Sequence, residues 1–273
     1  MPLELTAIRG NQAIGFMAAV GLIRIAPEGT RLSWNKTSQS VELHGISLDD
    51  LLDHLSAHMR DRAAAPELHI ADDVRGVPLD TFRQLCLDSP PETVEWLRSW
   101  WREDGRETKP TSLCFTSGQQ RMIRMARELA QYLDDKKNGG VARDKFREAL
   151  VGPWRYEDRF HSWGWDAATY RSGAMTPMAP TAMATEGVAG AYWLAWESQP
   201  FFPNVIGKGT LGFESKPRAW TWVTWTEPLD RAAVKALIRR PRESRAIGGS
   251  VYRAGIAMSG KYGWFESGVA VSV

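Results

Sequence analysis

Helical periodicity fills the middle of this sequence and stops at Gly152-Pro153. Between residues 45 and 152, apolar side chains recur every three or four positions, which predicts helices that bury one face. After Pro153 the chain is rich in glycine, proline, threonine and aromatic residues, a composition that favours strands and turns. These patterns predict an α+β fold, with strand-rich N- and C-terminal parts around a helical middle segment.

The length of 273 residues suits one large domain or two modest ones. We expect one composite domain over 1–273, which could divide into a helix-rich part, 1–152, and a strand-rich part, 153–273. The periodic patterns predict helices over 13–25, 48–60, 79–87, 92–103, 117–137, 143–151 and 229–239. Strands are predicted over 3–8, 31–34, 41–44, 188–197 and 218–226, and the segments SVYRAGIAM and YGWFESGVAVSV predict a closing strand pair.

Two capping signals strengthen the helix predictions. Ser47 is expected to cap the helix over 48–60. Ser117 and Gln120 form an S-x-x-Q capping box ahead of the helix over 117–137.

Composition excludes several classes of protein. Cys86 and Cys114 are far apart, so no disulfide framework and no cysteine metal site is expected. The N-terminus lacks the layout of a signal peptide, and the longest apolar run, Ala13 to Ile23, is too short to cross a bilayer. We therefore expect a cytoplasmic protein without a membrane partner. The thirteen tryptophans fill a core or contact partners and flat ligands.

The net charge of +2 conceals a separation of charge along the chain. Residues 48–104 contain thirteen acidic and six basic residues, which makes −7. Residues 231–262 contain eight basic residues and one acidic residue, which makes +7. Such a separation predicts one face for an anionic partner and another face for a different partner.

Two groups of basic residues are candidates for nucleic-acid binding. Helical spacing places Arg121, Arg124 and Arg127 opposite an apolar stripe, where they either meet phosphates or form a solvated face. The second group surrounds Pro241, which ends a helix and so directs the neighbouring basic side chains into solvent. These side chains either bind a nucleic-acid backbone or contact an acidic protein. They are Arg239, Arg240, Arg242 and Arg245, with Arg253 and Lys261 nearby.

The sequence contains only weak signals for catalysis. His54 and His58 lie four apart on a helix without the glutamate of an H-E-x-x-H motif, and His69 is followed by Asp72-Asp73. No P-loop, G-x-G-x-x-G or G-x-S-x-G motif occurs. We predict no catalytic residue, no metal and no cofactor. The alternative is a metal-dependent nuclease that uses these histidines and aspartates.

Several segments carry a resemblance to a known family. They are IRGNQAIGFMAAVGLIRI, the following RLSWN, Gly164-Trp165-Asp166 with Arg171, Gly190-Ala191, Leu194-Ala195-Trp196-Glu197 and Phe202-Pro203. Together they resemble type I-G (formerly I-U) CRISPR-associated proteins of an accessory or large-subunit-like family. Ala167-Ala168-Thr169 stands where that family has acidic residues, so a contact made there would differ in this chain.

The resemblance implies a non-catalytic subunit of an RNA-guided CRISPR interference complex. Its partners would be CRISPR effector subunits and guide RNA, target DNA or both. A third hypothesis is a protein-docking module without nucleic-acid contact, which uses the tryptophan-rich strands as its interface.

The segment SWGWDAATYRSGAMTPMAPT, residues 162–181, resembles a loop of such a complex-forming protein. We expect Trp163 and Trp165 to anchor it in the core and Asp166 to cap or pair locally, with Arg171 as a candidate partner. Residues 174–181 would then contact nucleic acid or another subunit. The alternative is a purely structural Ω-like loop.

Overall fold

The N-terminal part of the fold is a three-stranded antiparallel sheet beside a buried helix. The computed structural model describes residues 1–116, 120–134, 140–168, 185–205, 209–240 and 246–272. Strands β1 (Leu3–Arg9), β2 (Arg31–Trp34) and β3 (Ser40–His44) pair in the order β1-β3-β2. Helix α1 (Ala13–Ile25) is buried on all sides except at Arg24. The predicted hairpin of β2 and β3 is confirmed.

Helices dominate the middle of the chain. They are α2 (Leu48–Met59), α3 (Leu79–Asp88), α4 (Pro91–Trp100), α5 (Met122–Leu133) and α6 (Ala142–Val151), with short 3-10 turns at Arg62–Ala64 and Pro66–His69. The Ser47 side chain accepts a hydrogen bond from the Asp50 backbone N–H over 3.2 Å, so the predicted cap of α2 is confirmed. This bond satisfies a donor that has no partner within the helix.

Two predicted helices differ from their observed bounds by three residues or more. The helix predicted over 92–103 ends at Trp100, because β4 (Trp101–Asp104) turns at Gly105 and pairs with β5 (Glu107–Pro110). The helix predicted over 117–137 is α5, which begins at Met122 because the Arg121 backbone is extended, and which ends at Leu133. The predicted capping box at Ser117 lies outside the described residues.

The strand predicted over 188–197 is wrong, because this segment is helix α7 (Ala189–Glu197). All of its residues are buried, so the sequence has neither a strand's alternation nor a helix's polar face. The packing of α7 on α1 is close. A Cβ on Gly21 would lie 1.7 Å from the Leu194 carbonyl oxygen, so only glycine permits this approach.

A five-stranded antiparallel sheet forms most of the C-terminal part. Its strands are β10 (Phe213–Ser215), β11 (Arg218–Val223), β12 (Val251–Ser259), β13 (Tyr262–Phe265) and β14 (Val269–Ala270). The predicted closing strand pair is confirmed as β12 and β13. Helix α8 (Arg231–Arg239) follows β11, and Asp230 caps it. Short pairs are formed by β6 (Asp158–Phe160) with β7 (Thr185–Gly187) and by β8 (Asn204–Val205) with β9 (Gly209–Thr210).

Tryptophan fills the core that joins these parts. Eleven of the thirteen tryptophans are buried, and Trp154 and Trp264 are half-buried. With 42% helix and 24% strand, the chain has the predicted α+β fold. No helix in the described part of the chain is long and apolar enough to cross a membrane.

Candidate nucleic-acid interface

The three predicted arginines at α5 are all paired with acidic groups of the same chain. The Arg127 guanidinium donates to the Leu68 carbonyl over 2.9 and 2.6 Å and lies 3.3 Å from the Asp72 carboxylate. Arg121 lies 3.6 Å from the same carboxylate, and Arg124 lies 3.6 Å from Glu128 one turn along the helix. Acidic groups therefore neutralise part of the positive charge that this helix was expected to present.

The second group of predicted basic residues does not form one surface in the described residues. Arg239 and Arg240 are exposed at the C-terminal end of α8, and Arg242 and Arg245 lie outside the described residues. Arg253 on β12 donates to Glu214 on β10 over 2.9 Å. Lys261 lies in the turn between β12 and β13, where it lines a groove that the sequence analysis did not identify.

This groove, which we call the basic groove, has a volume of about 760 Å³ and lies between residues 111–115 and the C-terminal sheet. Four cationic residues line it: Arg102, Lys216, Arg218 and Lys261. Glu214 is the only acidic residue among the described residues that line it, and Arg253 binds its carboxylate. The basic groove therefore has a net positive charge.

The topology of the sheet brings cations from two hairpin turns to one end of it. Strand β11 begins directly after the turn at Lys216, and its partner β12 runs antiparallel toward the turn at Lys261. Lys216, Arg218 and Lys261 are exposed, and within the described ranges their side chains make no hydrogen bond or ion pair with another residue. Unneutralised cations gathered in this way attract polyanions and can each meet a phosphate.

The opposite wall of the basic groove, residues 111–115, is held by hydrogen bonds on two sides. On one side, the Thr210 hydroxyl lies 2.9 Å from the Thr111 hydroxyl and accepts from the Ser112 backbone N–H over 2.8 Å. On the other side, the buried Trp165 indole donates to the Leu113 carbonyl over 3.0 Å. The position of the wall is therefore set by β9 and by the segment that contains Trp165.

The structure places Trp163 and Trp165 in the core, with their rings stacked at 4.9 Å between centroids. Between them, Gly164 accepts a hydrogen bond from the Phe265 backbone N–H over 2.9 Å, which joins this segment to β13. Gly164 has φ +78°, and a Cβ there would lie 2.3 Å from the Gly263 carbonyl oxygen. Glycine is therefore required where this segment meets the sheet.

Asp166 pairs locally. One carboxylate oxygen accepts from the Ala168 backbone N–H over 2.9 Å. Burial, together with the charge of Asp166 and a hydrogen bond to it, raises the pKa of Tyr156. The proposed partner Arg171 and residues 174–181 lie outside the described residues.

Apolar side chains lie among the cations of the basic groove. Phe115 and Phe213 are half-buried, and Met258 is 43% exposed. The Phe115 ring packs edge-on against Phe265 at 4.9 Å, and the Phe213 ring stacks on Trp220 at 5.6 Å. The sequence signal that could have identified this surface is the pair of cations around Pro217, directly before a strand.

The residues proposed for a nuclease do not converge. His54 lies 2.8 Å from the Ile25 carbonyl, His58 lies 3.2 Å from Glu197, and His69 lies 2.8 Å from the Ala63 carbonyl. Asp72 faces the arginines of α5, and Asp73 pairs with Arg75 at 2.6 Å. Within the described ranges, no three histidine, cysteine or acidic side chains are grouped so that they could hold a metal ion.

Glu197 has a structural environment that the sequence analysis missed. Its carboxylate is completely buried and accepts hydrogen bonds from Arg62 Nε over 2.9 Å and from Arg24. It also lies beside His58. Burial alone would raise the pKa of Glu197, but Arg62, Arg24 and the hydrogen bond with His58 outweigh it and hold the pKa well below its usual range. This ion cluster joins α7 to α1 and α2.

Comparison with known proteins adds no relative to these observations, because no protein-family model matches the chain and no curated protein matches it significantly. The functional interpretation therefore depends on the geometry of the basic groove.

Proposed function

We propose that this protein is a non-catalytic subunit of an RNA-guided CRISPR interference complex, acting in the cytoplasm in antiviral defence. In this proposal, it binds the backbone of guide RNA or target DNA in the basic groove and contacts neighbouring effector subunits. The observation that carries the proposal is the set of exposed cations Lys216, Arg218 and Lys261, which have no acidic partner among the described residues.

The physical basis is the electrostatics of phosphate binding. In RNA-guided complexes, base pairing reads the target sequence, and the proteins hold the strands through positively charged channels. Cations that are already neutralised by their own chain, as Arg127 is by Asp72, contribute little to such a channel. Three cations of the basic groove, Lys216, Arg218 and Lys261, remain available to a polyanion.

The sequence resemblance supports the CRISPR setting. Gly164 and Trp165, from one of the resembling motifs, form the contacts that position the groove wall and β13. In this proposal, acidic residues of the region 48–104 contact a neighbouring subunit, in keeping with the separation of charge along the chain. The nuclease alternative has less support, because its histidines have separate partners in the protein.

The test uses charge-matched variants of the full chain. The groove variant K216Q/R218Q/K261Q removes three cations from the basic groove. The control variant R143Q/R147Q/R155Q removes three exposed arginines that are paired with acidic residues outside the groove. Both variants change the net charge equally, so a difference between them reports on the position of the charge.

We expect the tagged protein, produced together with the products of neighbouring genes, to purify with CRISPR proteins and nucleic acid that high salt releases. The groove variant should lower the slope of log Kobs against log salt concentration by about 2 to 3, at roughly 0.7 to 0.9 per lost phosphate contact. The control variant should keep the wild-type slope. Equal slopes for both variants would contradict the proposal, and copurification that needs no nucleic acid would favour the protein-docking alternative.

A further inference from the structure

We infer that the basic groove binds single-stranded nucleic acid in preference to duplex, an inference that rests on the proposed function. The feature that points to a single strand is the mixture of apolar and cationic side chains on one surface. Phe115, Phe213, Ile256 and Met258 line the same groove as the four cations. Neither group alone would distinguish the two forms of nucleic acid.

A duplex and a single strand present different chemistry to such a groove. A duplex offers phosphates on its outside and keeps the faces of its bases stacked inside. A single strand offers phosphates and also base faces, which stack on aromatic rings and contact apolar side chains. Only a single strand would therefore use Phe213 and Met258 together with Lys216 and Lys261.

The aromatic rings are held in place before any ligand binds. Phe213 stacks on the buried Trp220 with an interplanar angle of 22°, and Phe115 is fixed edge-on against the buried Phe265. Gly263 leaves room for this arrangement, since a Cβ there would lie 2.9 Å from the Met258 sulfur and 3.3 Å from the Phe115 ring. Rings that are already ordered lose little conformational entropy when a base stacks on them.

The size of the groove agrees with this inference. Its volume of about 760 Å³ lies within the range of clefts that hold small ligands, roughly 300 to 1,000 Å³. A cleft of this size can accept individual unpaired bases, but it cannot enclose a section of duplex. A duplex would contact only the exposed cations at the rim.

The test measures anisotropy of a labelled oligonucleotide of mixed sequence, offered as single-stranded DNA, as single-stranded RNA and as the duplex of the same sequence. With the full chain at one salt concentration, we expect both single strands to bind at least tenfold more tightly than the duplex. A preference between DNA and RNA would then identify the strand that occupies the groove.

Two variants test the apolar contribution. F213L keeps a large apolar side chain but removes the flat ring, and M258Q changes an exposed residue that the fold does not bury. Each should weaken single-strand binding about fivefold or more without changing the salt slope, because base stacking does not release counterions. The control F160L makes the same change at a half-buried phenylalanine that does not line the groove, and it should bind as the wild type does.

The outcomes separate this inference from the function on which it rests. Duplex binding that is as tight as single-strand binding, or F213L and M258Q binding as tightly as wild type, would overturn the single-strand inference. The proposed function would survive that result if K216Q/R218Q/K261Q still lost binding. If no form of nucleic acid bound, or if the groove variant bound as the wild type does, the proposed function itself would fail.

Discussion

The indole N–H of Trp165 donates a hydrogen bond to the carbonyl oxygen of Leu113 over 3.0 Å, inside the core. The two residues are 52 positions apart, and Leu113 is buried between Ser112 and Cys114, which line the basic groove. The bond therefore connects the segment that begins at Trp163 with the surface that we propose to bind nucleic acid. Trp165 and three further residues, Gly164, Glu197 and Arg127, connect structure with stability or binding in ways that can be measured.

Replacing Trp165 by phenylalanine should lower the free energy of unfolding and weaken binding in the groove. The change leaves the buried Leu113 carbonyl without its donor, which costs about 1 to 3 kcal/mol. Urea unfolding measures this cost. The control is W154F, which removes the same kind of bond, from Trp154 to the Ala149 carbonyl over 3.0 Å, at a half-buried site where water can replace it. Equal destabilisation by both variants would contradict the role given to Trp165.

Replacing Gly164 by alanine should destabilise the protein by more than backbone strain alone. Gly164 has φ +78° and a carbonyl oxygen 2.3 Å from its would-be Cβ. Gly76 has φ +72° and open space around it, so G76A incurs only the strain, about 1 to 2 kcal/mol. We expect a lower urea midpoint for G164A than for G76A, together with weaker nucleic-acid binding. A G164A protein as stable as G76A would show that β13 can move away without cost.

Replacing Glu197 by glutamine should be among the more costly single changes in this chain. It leaves Arg62 and Arg24 beside a neutral group in a buried site, and breaking a buried ion pair in this way costs about 3 to 5 kcal/mol. Thermal and urea unfolding measure the loss. R143Q, which breaks an exposed pair with Asp49, provides the comparison and should change stability far less. A similar loss of unfolding free energy in E197Q and R143Q would contradict the structural role given to the Glu197 charge.

The same carboxylate should make stability depend on pH in the acid range. The pKa of Glu197 is lower in the folded protein than its ordinary value of 4.5, so the unfolded chain takes up a proton that the folded protein resists. The stabilisation is fully present above pH 4.5 and is lost as the pH falls toward the folded pKa. One group contributes a slope of at most about 1.4 kcal/mol per pH unit. The stability difference between wild type and E197Q should therefore shrink below pH 4.5, and a constant difference would contradict this assignment.

Replacing Arg127 by glutamine should reduce stability more than it reduces nucleic-acid binding. Its bonds to the Leu68 carbonyl hold the 3-10 turn at Pro66–His69 against α5, and hydrogen bonds of a charged group are worth about 1.5 to 3 kcal/mol. Arg121 is 48% exposed and lies 3.6 Å from Asp72, so R121Q should cost about 0 to 1 kcal/mol. If R127Q unfolded like wild type but bound nucleic acid weakly, the arginine face of α5 would become part of the binding surface.

Local signals in the sequence were sufficient for much of the secondary structure. Ser47 identifies the start of α2 because its hydroxyl can accept from a nearby backbone N–H. The hairpin of β2 and β3 and the pair of β12 and β13 were also predicted, because their residues pair with near neighbours in the chain. The segment over 188–197 is predicted as a strand because the composition after Gly152-Pro153 favours strands. In the structure it is helix α7, fully buried and packed closely against Gly21 of α1.

The sequence by itself determined the α+β composition and the helical middle, since these depend on periodicity and on the hydrophobic effect. It left open whether the tryptophans fill a core or contact partners, and the structure buries eleven of the thirteen. Only the tertiary structure decided which charges are available. It pairs Arg127 with Asp72 and Arg253 with Glu214, and it brings Arg102, from the middle of the chain, to the groove lined by Lys216 and Lys261. The physical reason is that a charge acts on whatever lies within a few ångströms of it. That neighbourhood is set by contacts between residues 39 and 55 positions apart in the two ion pairs, and more than a hundred positions apart in the groove.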